Sequence, residues 1–340
     1  MKQQNRRQFL QHLGMLPLIA GMAPIVSTLA GCGNGSSSSQ SSSQADTAAA
    51  ADTLAKAASP VDEGLFFKVS LAEWSFNHSL FAGKMNNLDF PLKAKNDFGI
   101  TAVEYVNQFF IDKAKDKDYL KQLKQRCDDN GITSVRIMCD SEGDLGNTTE
   151  KERLKAVENH YKWVEAAQFL GCTDIRVNAR GQGTPGAVSA AAVKSLIRLS
   201  DFAKDYNLAV IVENHGEYSS DGRWIAGVMK AVNHPNCGLL PDWGNFCLKE
   251  DKSGKCLQEY DRYKGITEMM PYAKGVSAKS YAFDPSTGED TTIDFKRMLQ
   301  IARDAGFHQY VGIEFEGPDE ASEDSGVRST LKLLQKYGKA

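Results

Sequence analysis

Three acids close apolar runs in the second half of the chain. Glu213 ends Ala-Val-Ile-Val-Glu, Asp242 follows Gly-Leu-Leu-Pro, and Glu314 ends Tyr-Val-Gly-Ile-Glu. Carboxylates brought together away from water are unstable alone, because like charges at close range force protonation or demand a cation. If all three point to one centre, a divalent metal or a basic side chain must stand with them. An all-oxygen set suits Mg²⁺ or Mn²⁺, and an added imidazole would also suit Co²⁺ or Zn²⁺. His215 lies two residues beyond Glu213. Side chains alternate along a strand, so the two lean the same way. Lys279 is the alternative cation. Such a centre supports removal of a proton from a carbon beside a carbonyl: the cation stabilises the enediolate and a carboxylate takes the proton.

Further polar and aromatic residues stand at the ends of other apolar runs. Trp74, His78, Glu104, Arg136, Asn178, Arg180, Asn245 and Glu316 are the candidate substrate contacts. Trp74, Trp243 and Phe246 are large enough to stack on a sugar face or to serve as packing. Arg136, Arg176 and Arg180 could bind an anion or pair with Glu104 and its neighbours.

The elements that must carry these residues repeat. From Phe66 onward a short apolar run, a polar loop and an amphipathic stretch recur. Parallel strands covered on both faces read as near-continuous apolar runs, which places strands at 67–74, 102–106, 134–139, 174–178, 209–213, 238–242, 275–279 and 310–314. Between them, Leu154, Val157, Tyr161, Val164, Ala167 and Phe169-Leu170 mark one helical face, and Leu196, Leu199, Phe202 and Ala203 another. Gly99, Gly131, Gly171 and Gly306 stand where a left-handed helix cap is cheapest. No G-x-G-x-x-G follows the first strand, which counts against a dinucleotide fold. Residues 65–340 therefore form a single-domain (β/α)8 TIM barrel, a fold of typically about 250 residues whose chemistry sits at the C-terminal ends of its strands.

Val-Glu-Asn-His (212–215), Pro-Asp-Trp-Gly-Asn (241–245), Val-Ser-Ala-Lys-Ser (276–280) and Gly-Ile-Glu-Phe-Glu (312–316) resemble successive strand ends of the xylose-isomerase-like barrel superfamily. That group contains sugar isomerases, ketose 3-epimerases, inosose dehydratases and endonuclease-IV-like enzymes. In the epimerase branch a divalent metal (Mn, Co, Mg or Zn) is held by Glu, Asp, His and Glu. The resemblance assigns Glu213, Asp242 and Glu314 to three of those positions, with Glu213 and Glu314 on opposite faces of the substrate. The remaining position departs. Ser277 stands where members usually carry His, with Lys279 two residues on. His215 could supply the nitrogen, water could fill the position, or Lys279 could replace the metal. The resemblance implies an isomerase or epimerase acting beside a sugar carbonyl. A lyase or hydratase cleaving 3-keto-glycosides by β-elimination is an alternative, and so is a non-catalytic sugar-binding lipoprotein. Six histidines are few for the three-zinc cluster of the endonuclease branch.

Upstream, Asn5-Arg6-Arg7-Gln8-Phe9-Leu10 precedes an apolar run, and Leu29-Ala30-Gly31-Cys32 closes it. The paired arginines resemble a twin-arginine export signal, and the box resembles a lipoprotein cleavage site. Residues 1–32 are thus expected to be a signal segment with Cys32 as the lipidated residue. The Ser/Ala-rich stretch 33–64 has too little to bury and is expected to be a disordered linker. The barrel is then expected on the periplasmic side, tethered to a membrane by its lipid. Net charge is −3 and no basic block suggests nucleic acid. Seven cysteines show no zinc spacing. Cys247 could pair with Cys256 across a polar segment in an oxidising compartment, or all six beyond Cys32 could be free thiols. The sequence sets no oligomeric state.

Overall fold

The computed structural model describes residues 60–340. The signal segment, Cys32 and the linker up to residue 59 lie outside the described residues. Pro60–Asp62 forms a 3₁₀ turn whose Asp62 carboxylate accepts from the Val69 backbone. Among the described residues no helix is long and apolar enough to cross a membrane.

Ten strands run in chain order: β1 Lys68–Ala72, β2 Ala102–Val106, β3 Thr133–Met138, β4 Asp174–Asn178, β5 Ala209–Glu213, β6 Cys237–Leu240, β7 Cys247–Glu250, β8 Cys256–Glu259, β9 Val276–Ser280 and β10 Tyr310–Phe315. Eight of them form one sheet in the order β6-β5-β4-β3-β2-β1-β10-β9. All its pairs are parallel. Parallel bridges Leu239–Ala273 and Asp242–Ser277 join its two edges, so the sheet is a nearly closed barrel. Helices lie between successive strands of the barrel. Each of the eight barrel strands overlaps one of the expected runs, because burial on both faces leaves a continuous apolar signature; every residue of β2 is buried.

The glycine stops behave as the sequence implies. Gly99 and Gly171 end helices at φ 71° and 81°, a left-handed backbone that L side chains resist. On the helix Glu150–Leu170, Val157, Val164, Ala167 and Leu170 are buried, whereas Phe169 is 38 % exposed. Leu170 takes the inward position, and the adjacent residue is turned about 100° away.

The strand pattern missed a hairpin. β7 and β8 pair antiparallel as an insertion between β6 and β9, and a Cys247–Cys256 disulfide joins them. Cys139, Cys172 and Cys237 are free thiols, and the Cys127 sulfur lies 3.1 Å from the Tyr105 hydroxyl. The hairpin escapes the strand pattern because it is polar and largely exposed. Its bridged residues are nine apart in sequence, and closing so short a loop stabilises a fold by about 2–3 kcal/mol in the chain-entropy account. The Cys247→Ser, Cys256→Ser variant should lose that amount in denaturant unfolding, and reductant should shift only the wild type. Identical unfolding curves for the two proteins in the absence of reductant would rule the effect out.

Candidate active site

The three acids converge. β5 ends on Glu213, Asp242 lies two residues past β6, and β10 carries Glu314. All three are fully buried, and one carboxylate oxygen from each lies within 4.8 Å of the others. Parallel register sets Glu314 beside Lys279 on the neighbouring strand. Lys279 Nζ donates to Glu314 Oε1 at 2.8 Å and Glu316 Oε2 at 3.2 Å, and stands 3.8 Å from Asp242 Oδ2. Ser277 Oγ lies 2.7 Å from Asp242 Oδ2 and 3.0 Å from Glu314 Oε2. A hydroxyl has one proton, so it satisfies one of those oxygens fully and the other only if that carboxyl is itself protonated. Burial pushes Asp242 above the usual carboxylate range; Lys279 opposes this and the like charge of Glu314 adds to it.

Glu213 is held from the opposite side. Arg176 Nε lies 2.8 Å from Oε2, and Asn245 Nδ2 donates to Oε1 at 2.8 Å. Arg176 also donates to Asp140 Oδ1 at 2.8 Å, and Asn178 donates to the same oxygen. Burial alone would lower the Arg176 pKa, but Asp140 and Glu213 outweigh it and raise it, so this guanidinium stays charged. The Asp242 Oδ1 atom accepts the backbone N–H groups of Gly244 and Asn245. The Asn214 amide clamps the Asp242 backbone on both sides.

A divalent cation would be held by Glu213, Asp242 and Glu314. The donor set fits a hard ion, since it is all oxygen and the three buried carboxylates each offer an oxygen within 4.8 Å of the others. His215 does not join this group. Arg180 Nη2 donates to His215 Nδ1 at 2.5 Å and Arg180 Nε to the His215 carbonyl at 3.1 Å. Alternation holds only inside a strand; β5 ends at Glu213, and Gly216 then turns the chain at φ 82°.

Glu104 and Arg136 lie deeper than a substrate contact would. Arg136 Nε stands 3.0 Å from Asp174 Oδ1, and Nη1 stands 3.5 Å from Glu104 Oε2; Ser70 Oγ donates to Glu104 at 2.5 Å. All three ionic groups are buried, and Asp174 opens β4 at the end away from the carboxylate cluster. Two glycines make the room: a Cβ at Gly312 would fall 2.6 Å from Glu104 Oε1, and one at Gly275 2.5 Å from Arg136 Nη2. These are structural ion pairs inside the barrel.

Trp74 is 4 % exposed. It packs against Phe81 and Phe109, while its indole N–H reaches Glu316 Oε1 at 3.3 Å. His78 Nε2 lies 3.2 Å from the Gly317 carbonyl. Trp243 and Phe246 are fully buried packing residues. Glu73, beside Trp74, accepts from Asn87 and the Val106 backbone; burial pushes it up to about 8 against those two bonds. Asp140 and Tyr281 escaped the sequence reading. Asp140 directly follows the third expected strand, and Tyr281 directly follows β9, so strand-end position could have found both. Burial raises the Tyr281 phenol well above its usual range; Lys279 opposes this, while Glu316 and Asp242 reinforce it.

A (β/α)8 barrel with buried acids and a lysine gathered at the C-terminal ends of its strands defines the class. The chain belongs to the xylose isomerase-like TIM barrel family, whose sequence profile matches residues 92–337. No curated protein matches it. Its fold is similar to that of the IOLI protein solved with a zinc atom, at 16 % identity and TM-score 0.60 over 80 % of this chain and 99 % of that one. It is also similar to 3-keto-D-glucoside 4-epimerase YcjR from E. coli, at 13 % identity and TM-score 0.58 over 78 % and 98 %. D-psicose 3-epimerase, solved in the presence of D-fructose, matches at 12 % identity and TM-score 0.56 over 81 % and 100 %.

Proposed function

We propose that this protein is a sugar isomerase or epimerase that removes a proton from the carbon beside a carbohydrate carbonyl. The observation that carries this is the convergence of Glu213, Asp242 and Glu314 within 4.8 Å, with the Lys279 ammonium 2.8 Å from Glu314. Lys279 donates to the substrate oxygen on which negative charge develops, and a buried donor already in place needs no reorganisation. Glu213 and Glu314 come from different strands and supply the base on either side of the substrate. Return of the proton from the far face gives an epimer; return to the adjacent carbon gives an isomer. Arg176 and Asn245 fix the Glu213 carboxylate so that its oxygens do not wander from the centre. A divalent cation bound by the three acids would add Lewis-acid stabilisation of the same developing charge. Family membership and the epimerases among the structural relatives support this assignment. Export and a lipid on Cys32 complete the proposal and put glycosides and free sugars, rather than cytoplasmic sugar phosphates, within reach.

The test is hydrogen exchange in heavy water. Purified protein is given a 3-keto-glucoside or a ketose, chelated or supplied with Mg²⁺, Mn²⁺, Co²⁺ or Zn²⁺, and the carbon-bound proton next to the carbonyl is followed by NMR. Exchange of that proton is the expected result, and Lys279→Met should slow it. No exchange with either substrate under any metal condition would instead mark a sugar-binding protein without catalysis.

A further inference from the structure

β9 turns Ser277 and Lys279 to the same side, because residues two apart on a strand share a face. Between them they touch both flanking acids. Ser277 Oγ lies between Asp242 Oδ2 and Glu314 Oε2, while Lys279 Nζ holds Glu314 Oε1 and stands 3.8 Å from Asp242 Oδ2. The remaining oxygens are engaged as well. Asp242 Oδ1 accepts two backbone N–H groups, Glu213 Oε1 accepts from Asn245, and Glu213 Oε2 faces Arg176. Each of the six oxygens of the three acids therefore has a protein partner within 3.0 Å. The lysine stem is fixed in its turn. A Cβ at Gly244 would fall 2.6 Å from Lys279 Cγ and collide with Tyr281 Oη, so the absent side chain makes room for both. Lys279 is 1 % exposed, and an ammonium pushed off the acids would lose charge partners without gaining water.

We propose that Lys279 and a divalent cation compete for Asp242 and Glu314, so that this chain binds such an ion far more weakly than its three acids alone would. An ion bonded to both carboxylates at about 2.1 Å would lie within about 6 Å of the ammonium, which is 3.8 Å from Asp242 Oδ2. At that range the two positive charges repel strongly, because the effective dielectric of a buried site is well below that of water. The ammonium belongs to the strand and is present at every metal concentration, so each entering ion must displace it. The catalytic consequence rests on the proton abstraction proposed above; the competition itself does not. With Lys279 in place, the charge developing on the substrate oxygen already meets a fixed cation, and a divalent ion adds little to the exchange.

Mn²⁺ binding tests this without turnover. The ion is titrated into wild type, Lys279→Met and Lys279→Gln, and the free ion is read by electron paramagnetic resonance. The neutral variants should bind Mn²⁺ about 10²-fold more tightly than wild type, since a buried charge a few ångströms away has been removed. They should also gain more thermal stability from the ion. Glutamine keeps a donor toward Glu314 and serves if the methionine variant shows no melting transition. A gain below about tenfold in a folded variant, including the case in which neither it nor wild type binds, would overturn the competition. Chelated wild type should exchange the proton beside the carbonyl within about threefold of the Mn²⁺-supplied rate, because the ammonium is already in position. Wild-type exchange that requires the metal would overturn the competition too. Tighter Mn²⁺ binding by the variants, with no wild-type exchange in either condition, would remove the proton abstraction and leave the competition standing.

Discussion

Glu314→Gln should slow deuterium incorporation beside the carbonyl by about 10³-fold, within the range for losing a positioned base. The amide keeps the shape of the carboxylate and can still accept from Ser277, but it cannot take a proton, and its NH₂ cannot accept from Lys279. Because the glutamate is fully buried and central to the cluster, the loss should appear in the rate at saturating substrate. Glu316→Gln is the contrast. Its carboxylate is 27 % exposed and touches Lys279 at the longer 3.2 Å, so a loss below about tenfold is expected for a peripheral charge screened by water. If Glu314→Gln exchanges within tenfold of wild type, the convergent acids are not the base.

Arg136→Met should destabilise the fold by about 3–5 kcal/mol, the cost of stripping one partner from a buried ion pair. Glu104 and Asp174 would then be buried with no guanidinium between them. Burial already raises both carboxyl pKa values, with Arg136 the main opposing charge. Without it they rise further, the folded state binds more protons than the unfolded one, and stability grows as pH falls. The variant's deficit in urea unfolding should therefore shrink toward acid pH. Exchange per folded molecule should be unchanged, since this network lies beneath the carboxylate cluster. A stable variant with weakened substrate binding would return Arg136 to the substrate.

The sequence determined the barrel and the acids. Eight apolar runs punctuated by Gly99, Gly131, Gly171 and Gly306 allow little else, because strands covered on both faces must be apolar throughout and each helix must stop before the next strand begins. Glu213, Asp242 and Glu314 were legible because strand ends in this fold share one mouth. The tertiary structure decided what those signals do not encode. Side-chain parity expires where a strand ends, so His215 turned to Arg180. Which polar residues pair beneath the mouth depends on register between strands more than thirty residues apart, so Arg136 went to Glu104 and Asp174 while Arg176 went to Glu213. The missing side chain of Gly244, which admits Tyr281, has meaning only once β9 is laid beside the loop after β6; a glycine records freedom in the backbone but not which neighbour fills the space.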